Sequence, residues 1–437
     1  MIRKFLGVSI LLFFCQISIA QQGTSSPYSF LGIGDLKFKG TSENRSMAGM
    51  SVYSDSIHLN LQNPAAFGNL KFTTYTLGAS YSQLKLKSSA GTDKGSSSAL
   101  DYLAIGFPIS KKMGIGFGVL PFSSVGYNFE GIGETGIASA PNKFAQYEGE
   151  GGLNSVFLSL GYKITKKFSL GATANYNFGN IKNQNTEFLG ELNDEGQFVR
   201  TLNYGTRSND ESKLSGLSFN LGAYYKTKFN EKLSLTTSLT FSPKSNINST
   251  NSRQLSALNI SGTGGAIISS GQIDEIELGD KRKTELALPT KLAFGAGLGQ
   301  KNKWFAGLEY TLLHNSDFGN DFTTIENVNY DNGSKLAIGG FYIPKYNSFT
   351  SYWERVTYRA GIRYEDSGIM VRNENINDFG ISFGLGLPVG RSLSNLNVGF
   401  EFGKRGTTDS GLIKENYANF HLSLSLNDKW FIKRKYN

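Results

Sequence analysis

The chain has 437 residues, with 52 glycines, 32 phenylalanines, 21 tyrosines and only 9 prolines, and its formal net charge is +9. Beyond the N-terminal segment no run is apolar enough for a membrane-spanning helix, which excludes helix-bundle membrane proteins. The basic residues are scattered through turns and do not cluster on one face or helix, which argues against a nucleic-acid-binding protein.

The first segment in chain order, residues 1–20, has the pattern of a secretory signal peptide. Two basic residues precede an apolar run, and Ser18-Ile19-Ala20 forms a small-residue cleavage site. The single cysteine, Cys15, lies inside this run, and the bulky residues before it are unlike those of a lipoprotein signal. We expect an exported mature protein that starts near Gln21 and has neither a disulfide nor a lipid anchor.

From residue 71 onward the chain alternates between apolar and polar residues in many short segments. This period of two indicates β-strands with one oily face and one wet face. About fourteen such segments occur, and single-chain outer-membrane barrels have an even number of strands. The segments lie near residues 72–86, 99–108, 113–129, 153–162, 168–178, 214–226, 232–241, 286–298, 303–313, 335–343, 355–364, 379–388, 393–402 and 417–427.

The connections between these segments alternate in length along the chain. Short basic turns alternate with long polar loops, which is typical of outer-membrane barrels. A soluble β-sandwich is not expected to show this alternation. The short set comprises Lys111-Lys112, 163–167, 228–232, 301–303 and Arg391. The long set comprises 130–147, 182–213, 244–283, 314–334 and 404–416. The sequence therefore predicts an all-β, transmembrane antiparallel barrel over residues 71–437. Only the connection 344–352 is longer than its place in the series predicts.

The oily parity of each predicted strand should face lipid, and the other parity should face the lumen. A charge among lipid tails would cost about 2–4 kcal/mol near the midplane, so the charged residues of the wet parity are assigned to the lumen. We interpret them as a polar network that holds the barrel to its interior. These lumen residues are Lys291, Glu309, Arg359, Arg363, Glu401 and His421.

Three motifs, taken in chain order, resemble motifs of the FadL-type outer-membrane transporters of hydrophobic compounds. The first is the segment 44–81, with Asn63-Pro64-Ala65 before the first strand. The second is Leu288-Pro289 followed by Trp304 and Glu309-Tyr310-Thr311, and the third is the stretch 358–364. The tail 426–435 is similar to barrel ends of Bacteroidota members. The resemblance implies a fourteen-stranded barrel, an N-terminal hatch over residues 21–70 inside the lumen, and a lateral exit beside a kinked third strand.

The third predicted strand has the residues that such an exit needs. Pro121 lies in its middle and cannot donate to a strand ladder, so it marks a bulge, a kink or a local opening. Gly114, Gly116 and Gly118 leave the inner wall bare just before it. A tolerated bulge is the alternative interpretation. In the family the outer loops form an apolar capture site, although such residues also pack loops together. The substrate-path residues implied here are Asn63, Pro64, Ala65, Pro121, Phe122, Phe188 and Phe198.

An enzyme is not expected from this sequence. The three histidines fall in separate segments, and the one short run with catalytic residue types, 314–317, does not make a triad by adjacency alone. We expect no catalytic residue, no metal site and no cofactor, because paired histidines, retained cysteines and EF-hand-like acidic loops are all missing.

Two functions follow from this interpretation. The first is passive uptake of small hydrophobic molecules, of the fatty-acid or aromatic-hydrocarbon class, with lateral exit through the third strand. The alternative is a non-transporting barrel that serves as subunit or attachment platform of an outer-membrane secretion or assembly complex. Both place the protein in the outer membrane of a Gram-negative cell with periplasmic termini. Its expected partners are membrane lipids and lipopolysaccharide, a small hydrophobic ligand or an outer-membrane complex, and no nucleic acid.

Overall fold

The structure is a computed structural model that describes residues 23–133, 142–192, 198–261, 267–320, 322, 325, 327–390 and 393–430. The predicted signal peptide and the expected start of the mature chain lie outside these residues. Within the described ranges, no helix has the length and apolar character needed to cross a membrane. The described residues form one antiparallel β-sheet and several short helices.

The strands are numbered in chain order over the described residues. They are β1 Asp35–Leu36, β2 Thr73–Lys87, β3 Thr92–Pro108, β4 Met113–Gly133, β5 Asn142–Lys163, β6 Phe168–Leu192, β7 Phe198–Lys228, β8 Leu233–Ser242, β9 Ser245–Ile260, β10 Ile267–Glu275, β11 Lys283–Leu288, β12 Lys291–Gln300, β13 Trp304–Leu313, β14 Gly319–Asn320, β15 Val328–Tyr330, β16 Gly333–Tyr342, β17 Thr357–Val371, β18 Glu374–Val389, β19 Ser394–Arg405 and β20 Lys414–Asp428. The helices are one α-turn, Ser42–Arg45, and 3₁₀ turns at Pro27–Phe30, Pro64–Asn69, Gly279–Arg282, Asn315–Asp317, Trp353–Arg355 and Asp409–Gly411.

Fourteen of these strands close into a barrel. Their order around the wall is β2-β3-β4-β5-β6-β7-β8-β12-β13-β16-β17-β18-β19-β20. The barrel closes because β20 pairs with β2 along its whole length, from Thr73 with Asp428 to Lys87 with Lys414. The predicted fold class and strand number are confirmed.

Over the described residues, three of the long polar connections, 130–147, 182–213 and 244–283, are largely strands and not irregular loops, which corrects the sequence interpretation. The other two, 314–334 and 404–416, are mostly turns with short strands at most. Strands β6 and β7 stay paired far beyond their apolar parts, and β9 continues β8 after Pro243. Strand β11 leads into β12 across Pro289 in an unbroken register with the β8–β9 side. These extensions are rich in polar residues and bury only scattered apolar side chains such as Ile247, Phe188 and Leu258, so the apolar–polar period of two that reveals a half-buried strand is weak there.

Side chains alternate across the wall as a barrel requires. On the oily parity, Leu217, Phe219 and Phe400 are exposed on the outer surface. On the other parity, Glu309 and Glu401 are buried inside. Because a lipid bilayer covers the outer apolar surface, this alternation is the arrangement of a membrane barrel and not of a water-soluble sandwich.

The hatch, Gly23–Leu70, packs inside the barrel and ends in the 3₁₀ turn Pro64–Asn69. Asn63 is fully buried, and its side-chain oxygen accepts the Ala65 N–H at 3.1 Å, which caps this turn. The Asn63 amide also donates to the Ala223 carbonyl of the wall at 3.2 Å. The Asn63-Pro64-Ala65 motif therefore anchors the end of the hatch to β7 just before the chain enters β2.

A floor of glycines on the inner wall receives this turn. A Cβ atom at Gly171 would lie 2.4 Å from the Pro64 carbonyl carbon, and one at Gly114 would lie 2.1 Å from the Phe67 oxygen. Both contacts are to backbone atoms, which have little freedom to shift. Of the glycines before Pro121, Gly114 and Gly116 are thus explained by close packing of the hatch, whereas a Cβ at Gly118 would meet the neighbouring wall strand. The floor comprises Gly114, Gly116, Gly161, Gly171 and Gly222.

We predict that Gly171→Ala loosens the hatch. The added methyl group overlaps the Pro64 backbone, and such overpacking costs about 1–3 kcal/mol. Limited proteolysis of the purified barrel should cut the hatch faster in this variant. Gly131→Ala on β4 is the matched control, because a Cβ there meets nothing within 4 Å. Equal cleavage rates in the two variants would contradict the packing argument.

Candidate functional site

The wall is incomplete between β3 and β4. Their ladder joins only Leu103–Pro108 to Gly114–Val119. Above that point β3 pairs with β2 alone, while β4 remains paired with β5. The ladder ends two residues before Pro121, which has no N–H to offer. A seam in the wall therefore begins at this proline, where the sequence predicts a bulge, a kink or an opening.

The pairing of β4 with β5 also changes at Pro121. Pro121 faces Asn154 and Ser123 faces Leu153, so Phe122 is an extra residue that forms a β-bulge. The bulge reverses the facing of the strand beyond it. By the sequence pattern, Val125 would share the outward face of Phe117 and Val119. In the structure the bulge turns Val125 inward, and its side chain is buried in the lumen.

The hatch covers the seam from inside. Its two-residue strand β1 pairs antiparallel with Ser123 and Ser124 of β4, and the Lys37 N–H donates to the Phe122 carbonyl at 3.0 Å. In the preceding 3₁₀ turn of the hatch, Pro27–Phe30, the Ser29 hydroxyl accepts the Gly126 N–H at 3.1 Å. Hatch backbone thus takes the place that β3 leaves empty.

Asp35 of β1 anchors this cover electrostatically. Its carboxylate accepts from Arg405 of β19 at 2.8 Å and lies 3.4 Å from the Lys37 ammonium. Burial by itself would raise the pKa of Asp35, but the charges of Lys37 and Arg405 lower the pKa below its usual value. The carboxylate therefore stays ionised and holds the hatch strand against the wall.

Apolar side chains surround the seam on both sides. Leu36 of β1 is 65% exposed, and Leu100 and Leu103 of β3 are also exposed. On the inner side, Phe122 packs against a buried cluster that follows the wall from β4 to β11. This cluster comprises Ile33, Val125, Leu153, Ile181, Leu214, Ile247, Leu286 and Leu288. An oily surface therefore reaches from the lumen side of Phe122 to the outer opening.

A second apolar cluster lies nearer the end of the long strand extensions. Phe188 is buried there with Leu258 and Ile260, and Phe144 packs against them. The side chain of Phe198, the other aromatic assigned to outer capture, lies outside the described residues. Polar groups separate the two clusters, including the Arg253–Asp210 ion pair at 2.6 Å. The apolar path is therefore discontinuous in this conformation.

The predicted polar lumen residues hold the hatch. Glu401 is buried between Arg363 of the wall, at 3.0 Å, and Arg45 of the hatch, at 3.2 Å. His421 lies 3.7 Å from the same carboxylate. Arg45 was not singled out in the sequence, since a hatch residue without strand periodicity gives no sign of which wall group it meets.

The remaining lumen residues differ in their contacts. Glu309 accepts both the N–H and the hydroxyl of Ser51, at 2.8 and 2.6 Å. Arg359 donates to the Asn397 side chain at 3.1 Å. Lys291 has the lumen parity but stays exposed at the end of β12. The strand pattern indicates the wall residues of this network, whereas the hatch residues that they contact, Arg45 and Ser51, follow only from the structure.

Within the hatch, His58 and Asp55 form a close pair. The His58 Nδ1 lies 2.6 Å from the Asp55 carboxylate, which also accepts the backbone N–H groups of Ile57 and His58. Burial by itself would lower the pKa of His58, but the Asp55 carboxylate and the more distant Glu43 raise it above 6.5. His58 therefore carries positive charge more readily in the folded hatch than in an unfolded one.

Sequence comparison identifies a family for the whole chain. The family model described as BamG matches residues 1–437. No curated protein matches the chain.

Three solved structures of outer-membrane channels share the fold. The FadL homologue of Pseudomonas aeruginosa is 12% identical with a TM-score of 0.55, and the match covers 90% of this chain and 98% of that one. The toluene transporter TodX of P. putida is 15% identical with a TM-score of 0.54 over 90% and 100%. The toluene transporter TbuX of Ralstonia pickettii is 14% identical with a TM-score of 0.54 over 89% and 99%. The chain therefore has the fold of a FadL-type outer-membrane barrel, as the sequence motifs predict.

We predict a pH dependence of hatch stability through His58. Because its pKa is raised in the folded state, its stabilisation is complete below pH 6.5 and is lost as pH rises through the folded-state pKa. Hydrogen exchange of hatch amides, corrected for intrinsic rates, should show lower protection on the alkaline side. His58→Gln should remove this dependence, and its persistence in that variant would assign the effect to another group.

Proposed function

The chain belongs to the BamG family, a FadL-like family, and we propose that it is a passive outer-membrane channel for small hydrophobic molecules that leave sideways between β3 and β4. The observation that carries this proposal is the wall seam above Val119, where the described β4 residues bond to the hatch through β1, Lys37 and Ser29 in place of β3. A substrate that uses this exit enters the lipid directly. Aromatic hydrocarbons and fatty acids are the substrate classes that suit an oily path of this kind.

The polar network makes the direct route through the lumen unsuitable for such a molecule. Glu401, Arg363 and Arg45 would have to lose their mutual contacts to let an oily molecule pass. Partners left buried and unpaired cost several kcal/mol each. The proposed route therefore starts at the Phe188 cluster, continues along the cluster beside Phe122 and ends at the seam.

Opening the seam requires only a local movement of the hatch. The cover consists of a two-residue ladder, a few further hydrogen bonds that contribute about 0.5–1.5 kcal/mol each, and the partly buried Asp35–Arg405 ion pair. Local opening at this cost occurs in folded proteins without loss of the global structure. The ion network around Glu401 would hold the rest of the hatch in place meanwhile.

We predict that a disulfide between β1 and β4 blocks uptake. Leu36 and Ser123 are direct partners across this ladder, and their replacement by cysteine places two thiols across the seam in a mature chain that we expect to be otherwise free of cysteine. Oxidised cells should take up a labelled fatty acid or toluene at least about tenfold more slowly than reduced cells.

The matched control is Ser159→Cys with Thr173→Cys, which face each other across the complete β5–β6 ladder. Its oxidation should leave uptake unchanged, because that part of the wall has no seam. If the oxidised Leu36–Ser123 cysteine variant takes up substrate as fast as the same variant under reducing conditions, lateral exit is wrong. If the wild type itself shows no uptake above cells without the protein, the transport proposal fails as a whole.

The second candidate function is that of subunit or attachment platform in an outer-membrane complex. The observation that favours it is an aromatic connection between β16 and β17, on the rim of the short turns. Phe349 is fully exposed there, Trp353 is 62% exposed, and Tyr346 and Tyr352 are exposed as well. Exposed aromatic residues of this kind are enriched at protein interfaces.

We predict that this connection decides complex formation if the platform function applies. Cross-linking in native outer membranes followed by purification should recover a partner in fixed ratio with the wild type. Phe349→Ser with Trp353→Ser should lose that partner, whereas Phe229→Ser, an exposed aromatic in another short turn, should keep it. Recovery of the same partner by the double variant would remove the support for this second function.

A further inference from the structure

Five lysines cluster on the outer surface of the barrel, at the ends of β2, β3, β19 and β20 away from the termini. Lys85 and Lys94 face each other directly across β2 and β3. Asn416 is the partner of Lys85 on the other side, and Lys404 is the next residue in the same row. The set comprises Lys85, Lys87, Lys94, Lys404 and Lys414.

Strand alternation places the acidic residues of this region on the opposite face. Glu415 and Glu401 are buried in the lumen, while Lys85, Lys94 and Lys404 are exposed outside. In the described part of the chain, none of the five lysines forms an ion pair with a carboxylate. Like charges directly opposite each other destabilise a strand pair, so the Lys85–Lys94 arrangement needs an external anion to offset the repulsion.

The lysines lie just beyond the apolar belt of the barrel. Tyr81, Phe402 and Leu422 are exposed below them on the same strands. Lys85 follows Tyr81 by four residues, which is about 13 Å along a strand. That height corresponds to the headgroups of the outer leaflet, because the aromatic residues mark the edge of the hydrocarbon region. The rim opposite the termini and the short turns is the extracellular one in barrels of this type.

A groove of about 520 Å³ runs between the lysines on this surface. Lys85 and Lys94 lie on its sides, and Gln83, Ser96 and Asn416 supply further hydrogen-bonding groups. Tyr81 borders the groove on the side of the apolar belt. The groove therefore offers cationic donors above and an aromatic surface below, within the size range of small-molecule sites.

We infer that this groove binds a phosphate of lipid A, the lipopolysaccharide anchor, with its sugar in the groove and its acyl chains along the apolar belt. The lysine ammonium groups bind the phosphate oxygens, and the amide and hydroxyl groups bind the sugar. The acyl chains cover Phe402 and Leu422, which a free phosphate ion would leave bare. The site is independent of the seam, and failure of the proposed transport would not affect it.

The test measures the binding of purified lipid A to the full barrel with its hatch in detergent. Lys85→Gln with Lys94→Gln should weaken binding about tenfold or more, since a basic residue near an anionic lipid surface contributes about 1 kcal/mol. Lys166→Gln with Lys167→Gln, in a short turn at the other rim, removes the same charge and should leave the affinity unchanged. Heat-modifiable migration on gels verifies that each variant is folded.

Two further ligands test the chemistry. The wild type should have a lower affinity for dephosphorylated lipid A than for intact lipid A. This loss should be at least as large as the loss that the Lys85/Lys94 variant shows with intact lipid A. Millimolar inorganic phosphate should fail to displace the intact lipid. The inference is overturned if the two double variants lose affinity equally, if removing the phosphates has no effect, or if free phosphate displaces the lipid.

Discussion

Every backbone N–H and C=O group of a membrane wall must be paired, because lipid offers no hydrogen-bond partner. Thirteen of the fourteen strand junctions meet this requirement along most of their length, and the junction of β3 and β4 meets it only up to Val119. The hatch has to supply the missing partners, which is why β1 lies against Ser123 and Ser124. The position of the hatch, the bulge at Pro121 and the candidate exit all depend on this one break.

Buried charge holds the hatch where the break needs it. Removing one member of a buried ion pair costs about 3–5 kcal/mol, because its partner is left without compensation. Arg45 and Asp35 carry this constraint from the hatch to Glu401 and Arg405 on β19. The glycine floor beneath Pro64 supplies the steric counterpart at the other end of the hatch. The hatch is therefore held by the Asp35–Arg405 pair at β1, by Arg45 and by the glycine floor.

The two apolar regions of the site differ in how far they could be predicted. The sequence predicts Phe188 in an apolar capture site of an outer loop; the stretch around it is a strand, and its side chain is buried with Leu258 and Ile260. Phe122 was placed beside the exit, yet its role as the extra residue of a bulge follows from the partners Asn154 and Leu153. A strand pattern states which residues alternate. Only the neighbouring strand determines where the alternation is interrupted.

The sequence by itself determined the fold class, the strand number and the facing of the half-buried strand parts. Those properties follow from the period of two and from the cost of placing charge in lipid, which act within each segment. The tertiary structure decided which hatch residue meets which wall residue, where β3 leaves β4, and that the polar extensions are paired strands. These contacts join residues hundreds of positions apart, such as Arg45 and Glu401, and no local pattern encodes such pairings.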